Sequence, residues 1–543
     1  MISIKTSLKI LFILFMWIIV VIEILKMHVK NIVLVQQDFA VAKLNGQILP
    51  SKVLRRYESK SIAIDRFDTS NLHVDKRTAM DEEKIVHDGK KRFPSLPIVY
   101  WASIRKQKNT TCSRYPTLAD IEFNNIYWQT MYTSNATLHL YSAYYDRRKR
   151  ASYDHEGPTV RILGMMDNGN RNLDMLCQLW FDIHKERPAI EKTEYISVWN
   201  QEWGVFKPES YQPNLISCKI PPLFRDFVPS SVSLVAKQCD TATNNLRVIY
   251  NRPPDNRKKG FAVCVKGLNF IYEDISVRLI EWIEMLSILG ADKIYFYSLH
   301  LHPNVSKVLS HYEQSGKVEV MPLMLPGGQP NDPGLQRLFI NMSTYFHERN
   351  EIILYNDCFL KNMYLYDYIT LLDIDEVIMP IGRASNWAEM MENVKREDLR
   401  EHSSHSHSYR FKSFFFLDIQ QHEHGWHKDI PKFMHMLQHV HRANKSNSEW
   451  NFTQCFHDTR RVLLTHKHLP LICLGDKCNI YEVNTEIGRV HRYSTDCSGN
   501  LRNCSQFRDN AVEDKTIWNY KDELINRSLK TLTTLGFYKK SKL

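Results

Sequence analysis

Two aspartates follow a run of mostly hydrophobic residues in the second half of the chain. Residues 368–372 read Tyr-Ile-Thr-Leu-Leu, and Asp373, Ile374 and Asp375 come next. In an extended segment, residues i and i+2 point to the same side, so both carboxylates are expected to face one ligand. Paired carboxylates suit Mg²⁺ or Mn²⁺ bound to a diphosphate. The alternative is that these acids only end a strand and cap the next helix.

Such a pair of carboxylates favours transfer of a sugar from a nucleotide diphosphate sugar. A metal ion held there offsets the charge that develops on the departing diphosphate, and a base must take the proton of the attacking hydroxyl. Other reaction classes lack their motifs, because the chain contains no Gly-x-Gly-x-x-Gly, no P-loop and no Gly-x-Ser-x-Gly. Dinucleotide oxidoreduction, Walker-type phosphoryl transfer and hydrolysis by a serine elbow are therefore disfavoured.

Histidines are dense between His402 and His491, but they are scattered, and we predict no metal-spaced pair of them on a helix. His468 and His491 are the two that could approach the end of a strand. A histidine in that place could complete a metal shell or contact a diphosphate. A structural role is the alternative for each of them.

The segment that contains the acid pair alternates between strands and helices. This alternation predicts an α/β fold with an open, Rossmann-like, mostly parallel sheet. Ligands bind such sheets beyond the carboxyl ends of the strands, which is where the acid pair lies. The predicted strands are residues 261–265, 293–299, 317–321 and 368–372, and the predicted helices are residues 274–290, 304–315 and 348–364.

The N-terminal half divides by composition. Residues 10–25 are apolar apart from Glu23 and predict a transmembrane anchor about 24 Å long. A cleaved signal peptide is the alternative, but no small-residue cleavage site follows the apolar segment. The predicted order is a cytoplasmic tail at residues 1–9, the anchor at 10–25, a stem at 26–95, a β-rich module at 96–250 and the α/β domain at 258–540.

Cysteines and glycosylation sequons indicate an oxidising lumen. The chain has 11 cysteines, and Cys473 with Cys478 and Cys497 with Cys504 are spaced for disulfides, with a zinc site as the alternative. An odd count leaves at least one thiol free or intermolecular. Asn-x-Ser/Thr sequons lie after the apolar segment, at Asn109, Asn135, Asn304, Asn341, Asn444, Asn451, Asn503 and Asn526.

The composition excludes several classes of protein. The chain has 543 residues, of which 43% are hydrophobic and 24% charged, so it is neither disordered nor fibrous. The net charge of +11 comes from 71 basic and 60 acidic residues, a mild excess, and no nucleic-acid-binding motif accompanies it. We therefore expect no nucleic-acid partner. The densest basic run, residues 147–150, is expected to be a solvated loop between strands, and a protease cleavage site is a minor alternative.

Several segments in this order resemble glycosyltransferase family 92. They include the Cys-Val-Lys-Gly-Leu segment around Lys266 and the acid pair itself, and His491-Arg492-Tyr493 resembles a late His-Tyr element of that family. Gly267 departs from the family, which often has proline at this position, and this bears on the shape of the first loop. The ordered set is residues 264–268, 279–284, 289–291, 294–297, 308–312, 316–318, 356–358 and 372–376.

This resemblance implies a type II Golgi membrane enzyme with an inverting, Mn²⁺- or Mg²⁺-dependent GT-A catalytic domain that faces the lumen. It implies UDP-galactose as the donor. Nematode members similar to this chain add β-1,4-linked galactose to the core fucose of N-glycans, so a glycoprotein N-glycan is the expected acceptor. Membrane contact is expected through the one N-terminal helix.

Carried over by position, the resemblance gives Asp373 and Asp375 the metal and nucleotide-sugar motif and makes His491 a third metal ligand. Lys266 and Asp357 are expected near the nucleotide sugar. For Lys266, the alternative is that it only flanks its strand. For Asp357, the alternative is a helix cap or a hydrogen bond in the core. Asp418 and Glu423 are the two candidates for the general base. Their spacing in the sequence does not distinguish either of them from an ordinary acidic residue on the surface. The site residues are therefore Lys266, Asp357, Asp373, Asp375, Asp418, Glu423 and His491.

A competing function is a lumenal lectin or scaffold on a glycosyltransferase fold, in which the β-rich module binds glycans. The intact acid pair argues against it, because a relic has no chemical reason to keep both carboxylates at a strand end. A metal-dependent phosphodiesterase would need more histidine and aspartate ligands clustered in sequence than the chain contains.

Overall fold

The structure is a computed structural model that describes residues 82–103, 112–148, 157–167, 173–199, 211–342, 344–444, 446, 452–475, 477–495 and 511–539. The predicted cytoplasmic tail, the anchor at residues 10–25 and most of the stem lie outside the described residues. Within the described part of the chain, no helix is both long and apolar enough to cross a membrane.

The β-rich segment forms a nine-stranded sheet in the described residues, in the order β1-β2-β3-β4-β7-β6-β5-β8-β9. β9 also pairs with β3 in parallel, so the strands from β3 to β9 close into a ring. Inside the ring lie buried side chains such as Leu140, Ile162 and Leu179. The strands are β1 Phe123–Asn125, β2 Trp128–Tyr132, β3 Thr137–Asp146, β4 Thr159–Met166, β5 Leu176–Phe181, β6 His184–Ser197, β7 Gln212–Lys219, β8 Ser231–Val235 and β9 Leu246–Ile249.

The second half of the chain contributes the remaining strands. They are β10 Lys259–Phe270, β11 Lys293–Leu301, β12 Val318–Pro322, β13 Tyr366–Leu371, β14 Glu376–Pro380, β15 Ser408–Leu417, β16 His441–Ala443, β17 Thr453–Asp458, β18 Val462–Thr465, β19 Pro470–Cys473, β20 Ile480–Glu482, β21 Gly488–Ser494 and β22 Ala511–Glu513.

The second sheet has the order β12-β11-β10-β13-β17-β15-β21-β14, with β20 beside β15. The first four strands in this order are parallel, whereas β17 is antiparallel to both β13 and β15, and β14 is antiparallel to β21. The predicted mostly parallel sheet is therefore a mixed sheet with a parallel half. The parallel half comes from the alternating segment, because β10, β11 and β12 are each followed by helices that return the chain to the other end of the sheet.

The helices of the described residues are α1 Glu82–Arg92, α2 Ile98–Ser103, α3 Ser276–Leu289, α4 Pro303–Gln314, α5 Pro333–Met342, α6 Thr344–Asn362, α7 Trp387–Glu401, α8 Asp418–His424, α9 His435–Gln438 and α10 Lys521–Thr534. The three helices predicted between residues 274 and 364 correspond to α3, α4 and α6. Leu279, Ile283 and Leu286 of α3 are buried, and Gly290 ends the helix at φ 100°, a left-handed conformation that glycine adopts without strain.

Helix α6 packs between the two sheets. Its Ile352 and Phe359 belong to one buried cluster with Trp128 and Leu163 of the first sheet and Tyr295 of the second. The β-rich segment and the α/β segment therefore share a hydrophobic core.

Buried polar contacts also join the two segments. The Tyr144 hydroxyl on β3 donates to Asp357 on α6, and Trp128 Nε1 donates to the Met324 carbonyl oxygen over 2.8 Å. The Arg148 guanidinium donates to the carbonyl oxygens of Thr459 and Val462 over 2.7 Å and 2.6 Å. The Arg148 side chain is 7% exposed, so the expectation that residues 147–150 are solvated is wrong at this position.

Four disulfides occur among the described residues: Cys112–Cys239, Cys177–Cys218, Cys264–Cys358 and Cys473–Cys478. The predicted Cys473–Cys478 pair is confirmed, whereas Cys497 and Cys504 lie outside the described residues. Cys455 is a buried free thiol, in agreement with the odd cysteine count. The Cys264–Cys358 disulfide links β10 to α6.

Glu319 on β12 gives the protein an acid-sensitive ion pair. Its carboxylate lies 2.8 Å from Lys361 Nζ and 2.9 Å from Lys293 Nζ. Burial acts to raise the pKa of Glu319, but the two lysines outweigh it and lower the pKa to about 2. Because the folded pKa lies below the unfolded value, this stabilisation is present above about pH 4.5 and is lost as the pH falls towards 2.

We expect Glu319→Gln to lower the free energy of unfolding at pH 7, and the difference from wild type to shrink steadily between pH 4.5 and pH 2. Urea denaturation at a series of pH values measures it. Glu392→Gln, at an exposed position on α7, is the matched control and should leave the pH profile unchanged. A difference between Glu319→Gln and wild type that is the same at pH 3 and pH 7 would contradict the assignment.

Candidate active site

The acid pair lies in a tight turn between β13 and β14. The backbone N–H of Glu376 donates to the carbonyl oxygen of Asp373 over 3.0 Å, and the Asp373 N–H donates to Glu376 Oε2 over 3.0 Å. The expectation of an extended segment is therefore wrong, because the Glu376 side chain closes the turn. Trp282 Nε1 on α3 donates to the Glu376 carbonyl oxygen over 2.8 Å. The turn is thus fixed at the carboxyl end of a parallel strand.

Two lysines bind the Asp373 carboxylate. Lys266 Nζ on β10 lies 3.3 Å from Asp373 Oδ1, and Lys467 Nζ, from the loop between β18 and β19, donates to Asp373 Oδ2. Burial acts to raise the pKa of Asp373, but Lys266, Lys467 and Arg492 outweigh it and hold the pKa well below its ordinary value. The Asp373 carboxylate in turn raises the pKa of Lys266. Asp373 is therefore ionised at neutral pH and orients both ammonium groups.

Glu351 on α6 is a second acid beside Lys266. Its Oε1 lies 3.9 Å from Lys266 Nζ and 3.0 Å from His347 Nε2, and its Oε2 accepts a hydrogen bond from the Tyr355 hydroxyl over 3.2 Å. Burial acts to raise the pKa of Glu351, but Lys266 and His347 lower it to about 2. Lys266 therefore lies between two ionised carboxylates, one from α6 and one from the acid-pair turn.

Asp375 is less closely paired with cations than Asp373. Its side chain is 37% exposed, and Arg492 Nε on β21 lies 4.0 Å from its Oδ2. Arg492 Nη1 lies closer to Glu376, at 3.2 Å from Oε1, and Gln454 Nε2 donates to Glu376 Oε2 over 2.6 Å. Partial burial and the carboxylates of Asp373 and Glu376 raise the pKa of Asp375.

A divalent cation fits this arrangement. Burial and two neighbouring carboxylates raise the pKa of Asp375, and its cation partner, Arg492, is 4.0 Å away. A cation bound to Asp375 would offset both effects. The donor atoms are carboxylate oxygens, which Mg²⁺ and Mn²⁺ prefer. Asp375 and Asp373 would hold the ion, and the ammonium groups of Lys266 and Lys467 beside it suit a bound anion.

Two residues of this site were missed by the sequence analysis. Lys467 stands between His466 and His468, whose side chains are buried, and Arg492 stands between His491 and Tyr493 on β21. In both segments the prediction named a neighbouring histidine, His468 or His491, instead of the basic residue. Alternation along a strand was the available signal, because it places Arg492 on the opposite face from His491.

His491 lies on the face of β21 that points away from Arg492. Its side chain is fully buried, its ring centroid is 4.6 Å from that of Phe416, and its Nε2 is 3.9 Å from Asp514 Oδ2. Burial lowers the pKa of His491. The structure therefore brings Arg492, rather than His491, to the acid pair. His468 Nδ1 is 2.8 Å from the Thr453 carbonyl oxygen, which is a structural contact.

Asp357 lies between the two sheets, away from the acid-pair turn. Its two carboxylate oxygens accept hydrogen bonds from the hydroxyls of Tyr144 and Tyr297, and burial raises its pKa. This placement matches the core hydrogen bond that was the alternative to a contact with the nucleotide sugar. Lys266, Asp373 and Asp375 are thus the predicted site residues that the structure brings together.

The two candidate bases lie on α8. Glu423 is exposed, whereas the Asp418 carboxylate lies 3.3 Å from His435 Nε2 and 2.8 Å from His439 Nε2. His435 and His439 are four residues apart, at the start and the C-cap of α9. The sequence analysis therefore missed this pair of neighbouring histidines, although only His435 lies within the helix itself. The His-x-x-x-His spacing was the signal, although a four-residue helix is too short for periodicity to predict it.

Comparison with known proteins identifies the segment that carries this site. Residues 259–528 match the model of glycosyltransferase family 92. Beta-1,4-galactosyltransferase galt-1 of Caenorhabditis elegans is 24% identical over 238 residues, which are 42% of this chain and 52% of that protein. The match thus spans about half the length of this curated relative.

Two solved structures are similar at low identity. A crystal structure of residues 1–349 of S. aureus TarS is 13% identical, covers 52% of this chain and 76% of that chain, and has a TM-score of 0.21. An apo structure of the bifunctional glycosyltransferase WbbM is 12% identical, covers 40% of this chain and 36% of that chain, and has a TM-score of 0.17. The family match contains β10, the acid-pair turn, Lys467 and Arg492, and through it residues 259–528 are a glycosyltransferase family 92 domain.

Proposed function

We propose that the protein is a metal-dependent, inverting glycosyltransferase with a GT-A-type catalytic domain that transfers galactose from UDP-galactose to a glycan. The observation that carries this proposal is the cluster of Lys266, Lys467 and Arg492 around the acid pair at the carboxyl ends of parallel strands. Such a cluster suits a diphosphate with a divalent cation. Galactose is proposed because the relative in C. elegans is named a galactosyltransferase.

In this mechanism Lys266 and Lys467 bind the diphosphate oxygens of the donor. Asp373 orients both lysines, and Glu351 holds Lys266 from the side of α6. Asp375 and Asp373 would hold Mn²⁺ or Mg²⁺, which would supply a Lewis acid to stabilise the charge on the leaving diphosphate. Inversion requires the acceptor hydroxyl to approach the anomeric carbon from the side opposite the lysines, so the acceptor and its base lie across the sugar from Lys467.

We also propose that the enzyme acts in the Golgi lumen on glycoprotein N-glycans, with core fucose as the acceptor sugar and a β-1,4 linkage, and that residues 10–25 anchor it as a type II membrane protein. The disulfides support an oxidising compartment, because such bonds are rare in reducing ones. The acceptor rests on the resemblance to nematode members of the family.

The function is tested by UDP release from a panel of UDP-sugars with Mn²⁺, with and without a core-fucosylated N-glycan, using the purified full chain. We expect acceptor-dependent turnover of UDP-galactose that EDTA abolishes. A folded protein that neither binds nor turns over any UDP-sugar would refute the transferase. Binding of the glycan alone would then favour the lectin or scaffold function.

Lys467→Met tests the role of the lysine pair. We expect KM for UDP-galactose to rise about tenfold to a hundredfold, because a charge-assisted contact to the diphosphate is lost. Steady-state kinetics at saturating acceptor measures this effect. Lys477→Met, an exposed position in the same part of the chain, is the control and should leave KM unchanged. An unchanged KM in Lys467→Met would remove this lysine from the donor site.

A further inference from the structure

A cluster of one carboxylate and two imidazoles lies outside the acid-pair site. Asp418 begins α8, His435 begins α9 and His439 caps it, so the two histidines stand one helical turn apart. One ligand atom from each of the three residues lies within 4.8 Å of the others. Among the described residues, these three form the one group of three or more His, Cys, Asp or Glu side chains that is close enough to hold a metal ion. The side chains are 19%, 14% and 4% exposed for Asp418, His435 and His439, respectively.

The hydrogen bonds of His439 determine which of its nitrogens carries a proton. Its Nδ1 is 2.6 Å from the His435 carbonyl oxygen, which can only accept, so Nδ1 carries the hydrogen. In the neutral ring, Nε2 then presents a lone pair to Asp418 Oδ1 at 2.8 Å. Two acceptors at this distance repel each other unless a cation lies between them. A ring whose other nitrogen donates to a backbone carbonyl is also the usual arrangement of a metal-bound histidine.

We propose that Asp418, His435 and His439 form a second metal site, which binds Zn²⁺. Zinc ligands at about 2.0–2.1 Å in a tetrahedral shell lie roughly 3.3 Å from each other. The distance from His435 Nε2 to Asp418 Oδ1 is 3.3 Å, and the corresponding His439 distance of 2.8 Å needs a shift of only about 0.5 Å. Three protein ligands leave a fourth position, which the partial exposure of Asp418 opens to water.

The surroundings hold the two histidines in place. Glu281 on α3 is buried and accepts hydrogen bonds from the backbone N–H groups of Met436 and Leu437 over 3.0–3.2 Å. Gln438 Nε2 donates to the carbonyl oxygens of His427 and Ile430, and its Oε1 accepts from the His427 N–H. α9 is thus fixed by side-chain contacts on both flanks, as a preorganised ligand set requires.

This site is distinct from the acid pair in both place and chemistry. Asp418 follows β15, which pairs with β21, and the Tyr493 N–H of β21 donates to the Asp375 carbonyl oxygen over 2.9 Å. The two sites therefore lie at one edge of the sheet but on different strands. Imidazole ligands suit Zn²⁺, whereas the acid pair offers only oxygen. The assignment gives Asp418 a metal-ligand role in place of the general-base role suggested by its position, and it does not depend on the proposed transfer reaction.

The test measures zinc directly. The full chain, purified without a histidine tag and stripped with EDTA, is titrated with Zn²⁺ alone, and bound zinc is determined by elemental analysis after desalting. We expect about one zinc per chain and a higher melting temperature in the zinc-loaded protein. His439→Ala should weaken zinc binding by at least about a hundredfold, whereas His422→Ala, an exposed histidine on α8, should bind like wild type.

Asp375→Asn provides the second control, because it should leave zinc binding intact while it impairs the donor site. Loss of zinc in Asp375→Asn, equal binding by His439→Ala and wild type, or the absence of stoichiometric zinc in the folded wild type would each overturn the proposal. The last result would mean that a proton, rather than a metal, lies between His439 and Asp418. Titration of the wild type does not depend on whether any variant folds.

Discussion

Asp375→Asn is expected to lower kcat/KM for sugar transfer by roughly a hundredfold to a thousandfold and, at the same time, to stabilise the protein slightly at pH 7. Activity should fall because Asp375 is a proposed metal ligand and its carboxylate is partly exposed. The gain follows because burial and the carboxylates of Asp373 and Glu376 raise the pKa of Asp375, so removing its charge relieves desolvation and repulsion in the folded state. Steady-state kinetics and thermal melting of the same preparation measure both effects.

Asp373→Asn is the matched comparison, because it removes the neighbouring carboxylate in the same turn. This change leaves the ammonium groups of Lys266 and Lys467 without their shared anion, so activity and melting temperature should both fall. The assigned roles therefore predict a higher melting temperature for Asp375→Asn and a lower one for Asp373→Asn. Equal destabilisation of both, or wild-type activity in Asp375→Asn, would contradict the assigned roles.

Arg148→Ala is expected to lower the free energy of unfolding by about 3 kcal/mol. The guanidinium binds both carboxylate oxygens of Asp146, at 2.9 Å and 3.0 Å, and donates to the Thr459 and Val462 carbonyl oxygens. Removing it leaves the Asp146 carboxylate, which is 1% exposed, with Arg161 at 3.6 Å as its remaining ion-pair partner. Chemical denaturation followed by tryptophan fluorescence measures the change.

Two variants separate charge from packing at this position. Arg148→Met keeps most of the aliphatic volume and should still be destabilised, because the buried Asp146 charge keeps only the more distant Arg161 as an ion-pair partner. Arg147→Ala, at the exposed neighbouring residue, should stay within about 0.5 kcal/mol of wild type. If Arg148→Met matched wild type, the ion pair would contribute nothing and packing alone would explain the effect of the alanine.

The local order of the α/β segment could be predicted because each element carries its own signals. Leu279, Ile283 and Leu286 recur at helical spacing, and Gly290 stops the helix. α3 begins at Ser276, two residues after the predicted Asp274 cap, yet the Asp274 carboxylate still accepts the Ser276 N–H. Such features depend on neighbouring residues, which the sequence displays directly.

The rest of the site could not be predicted because its contacts join distant parts of the chain. Lys467 and Asp373 are 94 residues apart, and Tyr144 and Asp357 are 213 residues apart. Neither separation leaves a periodic or local pattern. The antiparallel insertion of β17 beside β13 is likewise a long-range pairing, and it converts the predicted mostly parallel sheet into a mixed one.

The shared core around α6 means that the boundary of sequence similarity is not a boundary of folding. A fragment beginning at residue 259 would keep every residue of the donor site, yet it would expose the α6 side chains that pack on the first sheet and leave Asp357 without Tyr144. Such a fragment is expected to aggregate when expressed alone. Grafting residues 259–528 into another protein would therefore require the β-rich segment of this chain as well, because α6 packs against both.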